Sequence, residues 1–147
     1  MRHRILALAL ALLLVAGSAL PALAAADLAA ALDYLRTQQN ADGGFGSGFG
    51  PGSTVGSTAD AVMAIVAAGG DPAAFAQDGN STLDYLAANA AAVDNAGDLA
   101  KLIMAAVAAG ENPRTFGDTD SVARLEAMAG AGGRIGTAND TFVSHLL

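Results

Sequence analysis

The sequence predicts an all-α protein built from antiparallel helical hairpins, and three observations carry that prediction. Short segments recur along the chain at a spacing of roughly 40 to 50 residues, the range that marks stacked or ringed supersecondary units. Within each recurrence an amphipathic helical pattern is followed by one that is apolar nearly all round. No run of alternating apolar and polar residues has the pattern of a half-buried strand.

The recurrences are specific. Leu32-Asp33-Tyr34-Leu35 returns as Leu83-Asp84-Tyr85-Leu86 and, weakly, as Val122-Ala123-Arg124-Leu125. Ala67-Ala68-Gly69-Gly70-Asp71-Pro72 returns as Ala108-Ala109-Gly110-Glu111-Asn112-Pro113. Gly43-Gly44-Phe45-Gly46 has a worn copy in Gly132-Gly133-Arg134-Ile135-Gly136.

The chain opens on an expected signal peptide, residues 1–24. Arg2, His3 and Arg4 supply a positive start and Ile5 to Ala16 an apolar run. Gly17, Ser18 and Pro21 break it before the small-residue pattern Ala22-Leu23-Ala24, after which cleavage is expected. The apolar run is shorter than the roughly 20 residues that span a bilayer, so the mature chain is expected to be secreted and free of the membrane. Residues 25–147 then form one domain of about three hairpins.

The first helix is expected from about Asp27 to Gln39, with Leu28, Ala31, Leu32, Leu35 and Gln39 on one stripe. A glycine-rich loop follows, from Asp42 to Gly56. The second helix is expected from a cap at Ser57 or Thr58 to a stop at Gly69. Ser81 and Asp84 form a Ser-x-x-Asp capping box for a third helix over about Thr82 to Val93, and the fourth runs from about Asp98 to Ala109. A fifth is expected over about Asp120 to Ala129 and a sixth from near Asn139. Asp71-Pro72 and Asn112-Pro113 each set a cap before proline, the signature of a short helical turn linking the units.

Composition narrows the function classes. The chain has no Cys, which removes disulfides and thiolate metal sites, so the core alone must hold it. Without Arg2 and Arg4, five basic residues stand against the 14 acidic ones, a net charge of about −9. Nucleic acid and anionic lipid surfaces demand the opposite sign. Most of the acids are Asp beside Gly, Pro, Ser or Thr, the positions of helix starts and turns.

Tyr34-Leu35, then Gln39, then Gly43, Gly44 and Phe45, gives an aromatic-Leu-x3-Gln-x3-Gly-x-aromatic string that resembles the repeat of terpenoid cyclases and protein prenyltransferases, with Phe45 where Trp is usual. The resemblance implies an α/α-toroid, here incomplete, because rings of that family hold about twelve helices and this chain supplies about six. It also implies that Gln39 caps a neighbouring helix while the ring of Phe45 stacks on it; a Gln at a helix end can satisfy free backbone groups. The second unit departs, with Ala90 at the Gln position, and the third has Ala129 and Ile135. The same toroid serves as a non-catalytic scaffold in vitamin-B12 carriers of the transcobalamin type.

Family chemistry finds little to build on. Class II cyclases protonate substrate with Asp-x-Asp-Asp, in which crowded carboxylates raise the donor's pKa. Asp118-Thr119-Asp120-Ser121 lacks the last carboxylate and precedes a helix, where Asp serves as a cap. The zinc site of prenyltransferases needs a Cys, and the diphosphate-binding Asp-rich pairs of class I synthases do not occur in the sequence. Gln38, Asn40, Asp42 and Gly43 imitate the start of an EF-hand loop, but Phe49 falls where the closing Glu belongs. Asn80-Ser81-Thr82 and Asn139-Asp140-Thr141 fit the glycosylation sequon and coincide with helix starts. His145 reads as a helix-face residue.

Asp60, Asp98 and Asp140 remain as candidate ligand-binding residues, each expected near the start of a second-of-pair helix, where the resemblance places the mouth of a central cavity. Helix-dipole compensation, about 0.3–1 kcal/mol each, accounts for the same placement. Tyr34, Leu35, Gln39, Gly43 and Phe45 are the expected structural motif. The expected function is an exported, non-catalytic binding or interaction module for a small molecule or a protein, without cofactor or metal. The alternatives are the N-terminal part of a cyclase-type enzyme with its acid motif downstream, or a structural piece of a larger surface protein. The unclosed flanks of an incomplete ring predict self-association.

Overall fold

The computed structural model describes residues 27–130 and Ile135, and in it helices begin where a side chain satisfies the first free amides. The chain divides into two units between Thr37 and Gln38. In the first, residues 27–37 form helix α1, whose last residue, Thr37, donates its hydroxyl to the Tyr34 carbonyl at 2.7 Å. Tyr34 is exposed and Leu35 half-buried. The expected signal peptide and sixth helix lie outside the described residues.

The second unit is mainly helical. Helix α2 spans Val55–Ala67, α3 Thr82–Asn89, α4 Ala96–Ala108 and α5 Ser121–Ala127. Short 3-10 turns, Ala90–Ala92 and Phe116–Asp118, extend α3 and precede α5. Thr54, in extended conformation, accepts the Ser57 N–H at 3.1 Å to start α2, and Asn95 accepts the Asp98 N–H at 2.9 Å to start α4. Ser81 and Asp84 form the full capping box of α3.

The ends of α2 and α4 are copies of each other. Gly69 and Gly110 adopt positive φ, at 77° and 82°. The Gly70 N–H then reaches the Ile65 carbonyl and the Glu111 N–H the Ala106 carbonyl, both at 2.8 Å, closing a Schellman motif each time. Asp71 and Asn112 next accept the N–H two residues on, from Ala73 and Arg114. Every matched pair, 54 with 95, 69 with 110 and 72 with 113, is 41 residues apart.

Helices α2 and α4 lie side by side and run the same way: Gly56 sits against Asp98, and Asp60 one turn on meets Lys101. A Cβ at Gly56 would fall 2.5 Å from the Asp98 Oδ1, so glycine sets how closely the two helix starts approach. The core gathers where α2, α3 and α4 meet, with Ala59, Val62, Leu86, Ala90, Leu99 and Leu102 all buried. Each large aliphatic among them contributes about 1.5–3 kcal/mol of transfer free energy. Arg124 of α5 closes the far side by donating to the Ala90 and Val93 carbonyls, a cation at the C-terminal end of α3 and its 3-10 extension.

Several boundaries differ from the sequence expectation. The first helix stops at residue 37, and Gln39 instead forms a β-bridge with Phe45, which bridges on to Thr54. That bridge fixes Thr54 as the cap, so α2 begins at Val55 instead of after Ser57 or Thr58. The fourth helix begins two residues early, because Asn95 and not Asp98 is its cap. Helix α3 tightens after Asn89 where Gly117 presses on it: a Cβ there would stand 2.4 Å from the Ala87 carbonyl oxygen.

A two-residue antiparallel ladder, Ala76–Gln77 (β1) with Asn80–Ser81 (β2), was not anticipated. It turns through Asp78 and Gly79, both at positive φ, as a two-residue hairpin requires. Ala129 bridges Ile135, six residues on, as Gln39 bridges Phe45. Helix α4 is less covered than its apolar sequence implied: Met104 and Val107 are exposed.

Candidate functional site

The turn after Gln39 is held by several hydrogen bonds. Gln39 is buried, and its Nε2 donates to the Gly43 and Phe75 carbonyls, both at 2.9 Å. It therefore ties its own turn to the segment before α3, where a helix end had been expected as its partner. Phe45 is 5 % exposed, and its ring packs on Phe75 with centroids 6.4 Å apart and planes tilted by 38°. The Thr58 hydroxyl accepts the Phe45 N–H and donates to the Thr54 carbonyl, coupling the turn to the first turn of α2.

Gly43 is where the turn touches its neighbour. It adopts φ +84°, and a Cβ would lie 2.4 Å from the Ser81 carbonyl oxygen, so both its dihedral and its contact demand glycine. Asp42 accepts the Gly44 N–H at 3.0 Å and the Ser53 hydroxyl at 2.7 Å, and Asn40 donates to that same hydroxyl oxygen. These contacts brace the turn internally, which accounts for the residues that imitate an EF-hand start.

Docking this turn on the start of α3 forms an open cleft of about 460 Å³ lined by Asp42, Asn80, Asp84, Tyr85, Ala88 and Asn89. Asp84 accepts both the N–H and the hydroxyl of Ser81, at 2.9 and 2.6 Å, and these bonds hold its carboxyl below the usual carboxylate range. Burial, and after it the negative charge of Asp42, pushes the Tyr85 phenol above its ordinary value.

A smaller cleft of about 180 Å³ lies between the starts of α2 and α4 and includes Val55, Asn95 and Asp98. Asp98 accepts from Asn95 Nδ2 at 3.0 Å, a reciprocal cap that occupies one carboxylate oxygen. Asp60 falls in the second turn of α2 because that helix begins early, and it pairs with Lys101 at 2.6 Å. Asp60 and Lys101 are equivalents one 41-residue period apart, whereas the equivalent of Asp98 is Ser57. The structure thus gives Asp60 and Asp98 different positions in their repeats; Asp140 lies outside the described residues.

Asp120 caps α5 by accepting the Ala123 N–H at 2.8 Å and pairs with Arg114. That amide, with Arg114, holds its carboxyl below the ordinary value. Its neighbour Asp118 sits at φ 55°, in the 3-10 turn. Among the described residues no group of three or more His, Cys, Asp or Glu could hold a metal ion, and no helix is long and apolar enough to cross a membrane. No family model matches the sequence, and no curated protein or solved structure matches it.

Proposed function

We propose that this chain is an exported, non-catalytic binding or interaction module whose hairpins follow the plan of an incomplete α/α-toroid, of the kind found in terpenoid cyclases and protein prenyltransferases. The observation that carries this reading is the parallel contact of α2 with α4 at a strict 41-residue register, with the same cap position, the same Schellman end and the same Asx turn in each. In a ring of hairpins every second helix is parallel to the one two places before it, and such a register builds it. The non-catalytic part of the reading is supported by Asp120, which is engaged as the cap of α5 and paired with Arg114.

The test has two arms. The precursor, expressed in a bacterium, should yield a mature N-terminus within a residue or two of Ala25; intact Met1 on a soluble cytoplasmic product contradicts export. The purified chain, given squalene or a prenyl diphosphate with and without magnesium or zinc, should form no product. Turnover that disappears on Asp118→Asn or Asp120→Asn overturns the non-catalytic reading.

A further inference from the structure

We infer that copies of this chain join head to tail, the Met104–Val107 side of α4 in one copy receiving the Asp60–Ala64 side of α2 in the next. This contact goes beyond the binding-module reading, since it follows from the register of α2 with α4 and needs neither export nor a ligand.

Residues 41 apart in α2 and α4 are equivalents, yet their burial differs in a regular way. Met63 is half-buried and packs against the core, whereas its equivalent Met104 is exposed. Val66 is half-buried and its equivalent Val107 is exposed. At the neighbouring position the difference reverses: Ala64 is exposed, while its equivalent Ala105 is fully buried in the core. These pairs assign the Met63 side of α2 and the Ala105 side of α4 to the core that the two helices share. The Met104 side of α4 and the Ala64 side of α2 are the same two sides, left open at opposite ends of the pair.

The contact of α2 with α4 shows what such open sides accept, namely a parallel helix of this same repeat. A second copy set on α4 as α4 is set on α2 brings a flexible methionine, Met104, against small alanines at Ala64. It also brings Asp60 of the second copy to Lys101, because Asp60 and Lys101 are equivalents. Their opposite charges make the fit: like charges at this position would repel the incoming copy. Lys101 spends one of its three donors on the Oδ2 of Asp60 in its own copy. Both side chains stay part-exposed, at 35% and 53%, so each has room for a second partner. Copies joined this way carry an unbroken row of alternating aspartate and lysine. The two patches in contact are different, so the assembly is heterologous and grows as a ring or a chain.

Sedimentation velocity of the full chain, with two variants that each close one side, tests the contact. Met104→Lys with Val107→Glu closes α4, and Ala64→Arg closes α2 from an exposed position. A charge set without a partner into such a contact should weaken it at least about tenfold. The parent should associate as its concentration rises, and each variant alone should stay monomeric over the same range. Mixed in equal amounts, the two variants should form a dimer and nothing larger, because one still offers α2 and the other α4. Should Ala64→Arg fold poorly, Asp60→Lys takes its place, since it sets like charge against Lys101 of the neighbouring copy.

Association of the α2-closed variant as strong as the parent's would show that α4 pairs with itself. A mixture that stays monomeric would show that the two open sides do not meet. A parent that is monomeric at every concentration would show that this side of α4 is covered within one copy. Each of these results overturns the head-to-tail assignment.

Discussion

Gln39 and Phe75 stand 36 residues apart, and the side-chain amide of the first donates to the backbone carbonyl of the second at 2.9 Å inside the fold. The Thr82 N–H reaches that same carbonyl, so one oxygen receives both the glycine turn and the first residue of α3. Gln39→Leu removes the bond to Phe75 and the one to the Gly43 carbonyl. It should cost about 1–3 kcal/mol, the scale of stranding buried polar partners. Urea unfolding measures it, and an unchanged midpoint would show that water replaces the amide without penalty.

Phe45→Ala should cost about 3 kcal/mol, as for other truncations of buried rings. Combined with Phe75→Ala in a double-mutant cycle, it should show a coupling of about 0.5–1.5 kcal/mol for the ring pair. A single-mutant loss below about 0.5 kcal/mol would mean that the turn contributes nothing to stability.

Phe49 is fully exposed within a run of alternating glycines, with Gly48 and Gly52 at positive φ on either side. Such a loop tip offers a protease an extended backbone with few contacts to break. Brief digestion with chymotrypsin should cut first after Phe49, and Phe49→Ser should abolish that cut. A first cut in α2 or α4 would place the weakest point in the core instead.

Acid should destabilise the fold partly through Asp84 and Asp120, whose carboxyls are held below their ordinary values by the Ser81 bonds and by the Ala123 amide. A lowered folded-state pKa gives stability that is present above the unfolded value, about 3.9, and lost as pH falls through the folded one. Asp84→Asn should therefore flatten the acid limb of a stability-versus-pH curve below about pH 4. An acid limb of unchanged slope would remove the capping carboxylate as its source.

Met104 and Val107 expose an apolar strip on α4. Sedimentation at rising concentration should show self-association that Met104→Lys with Val107→Glu reverses. A chain that stays monomeric and melts cooperatively at every concentration would show that this strip has no partner in a second copy.

What the sequence reveals and what it conceals divide along a physical line. Local signals read true where the bonds they name are local: the Ser81–Asp84 box, and Gly69 and Gly110 at the ends of α2 and α4. The start of α2 was misplaced because Thr54, Ser57 and Thr58 are all competent caps, and the choice between them is made by the Phe45–Thr54 bridge. The β1–β2 ladder is too short for an alternating pattern, and only Asp78-Gly79 announces it. The Tyr85 cleft draws on the glycine turn, the β2 strand and one face of α3, and no spacing in the chain marks that meeting.

The 41-residue register has a consequence for how such a chain can change length. Deleting residues 55–95 would join Thr54 to Ala96, replacing one helix-starting junction by another of the same design and leaving the Schellman end of α4 in the place of that of α2. Inserting a second copy of that stretch would likewise meet matching ends on both sides. A gene encoding this pattern can gain or lose whole periods by unequal exchange while every splice falls on a cap already suited to receive it, so the number of hairpins becomes a heritable variable separate from the stability of each.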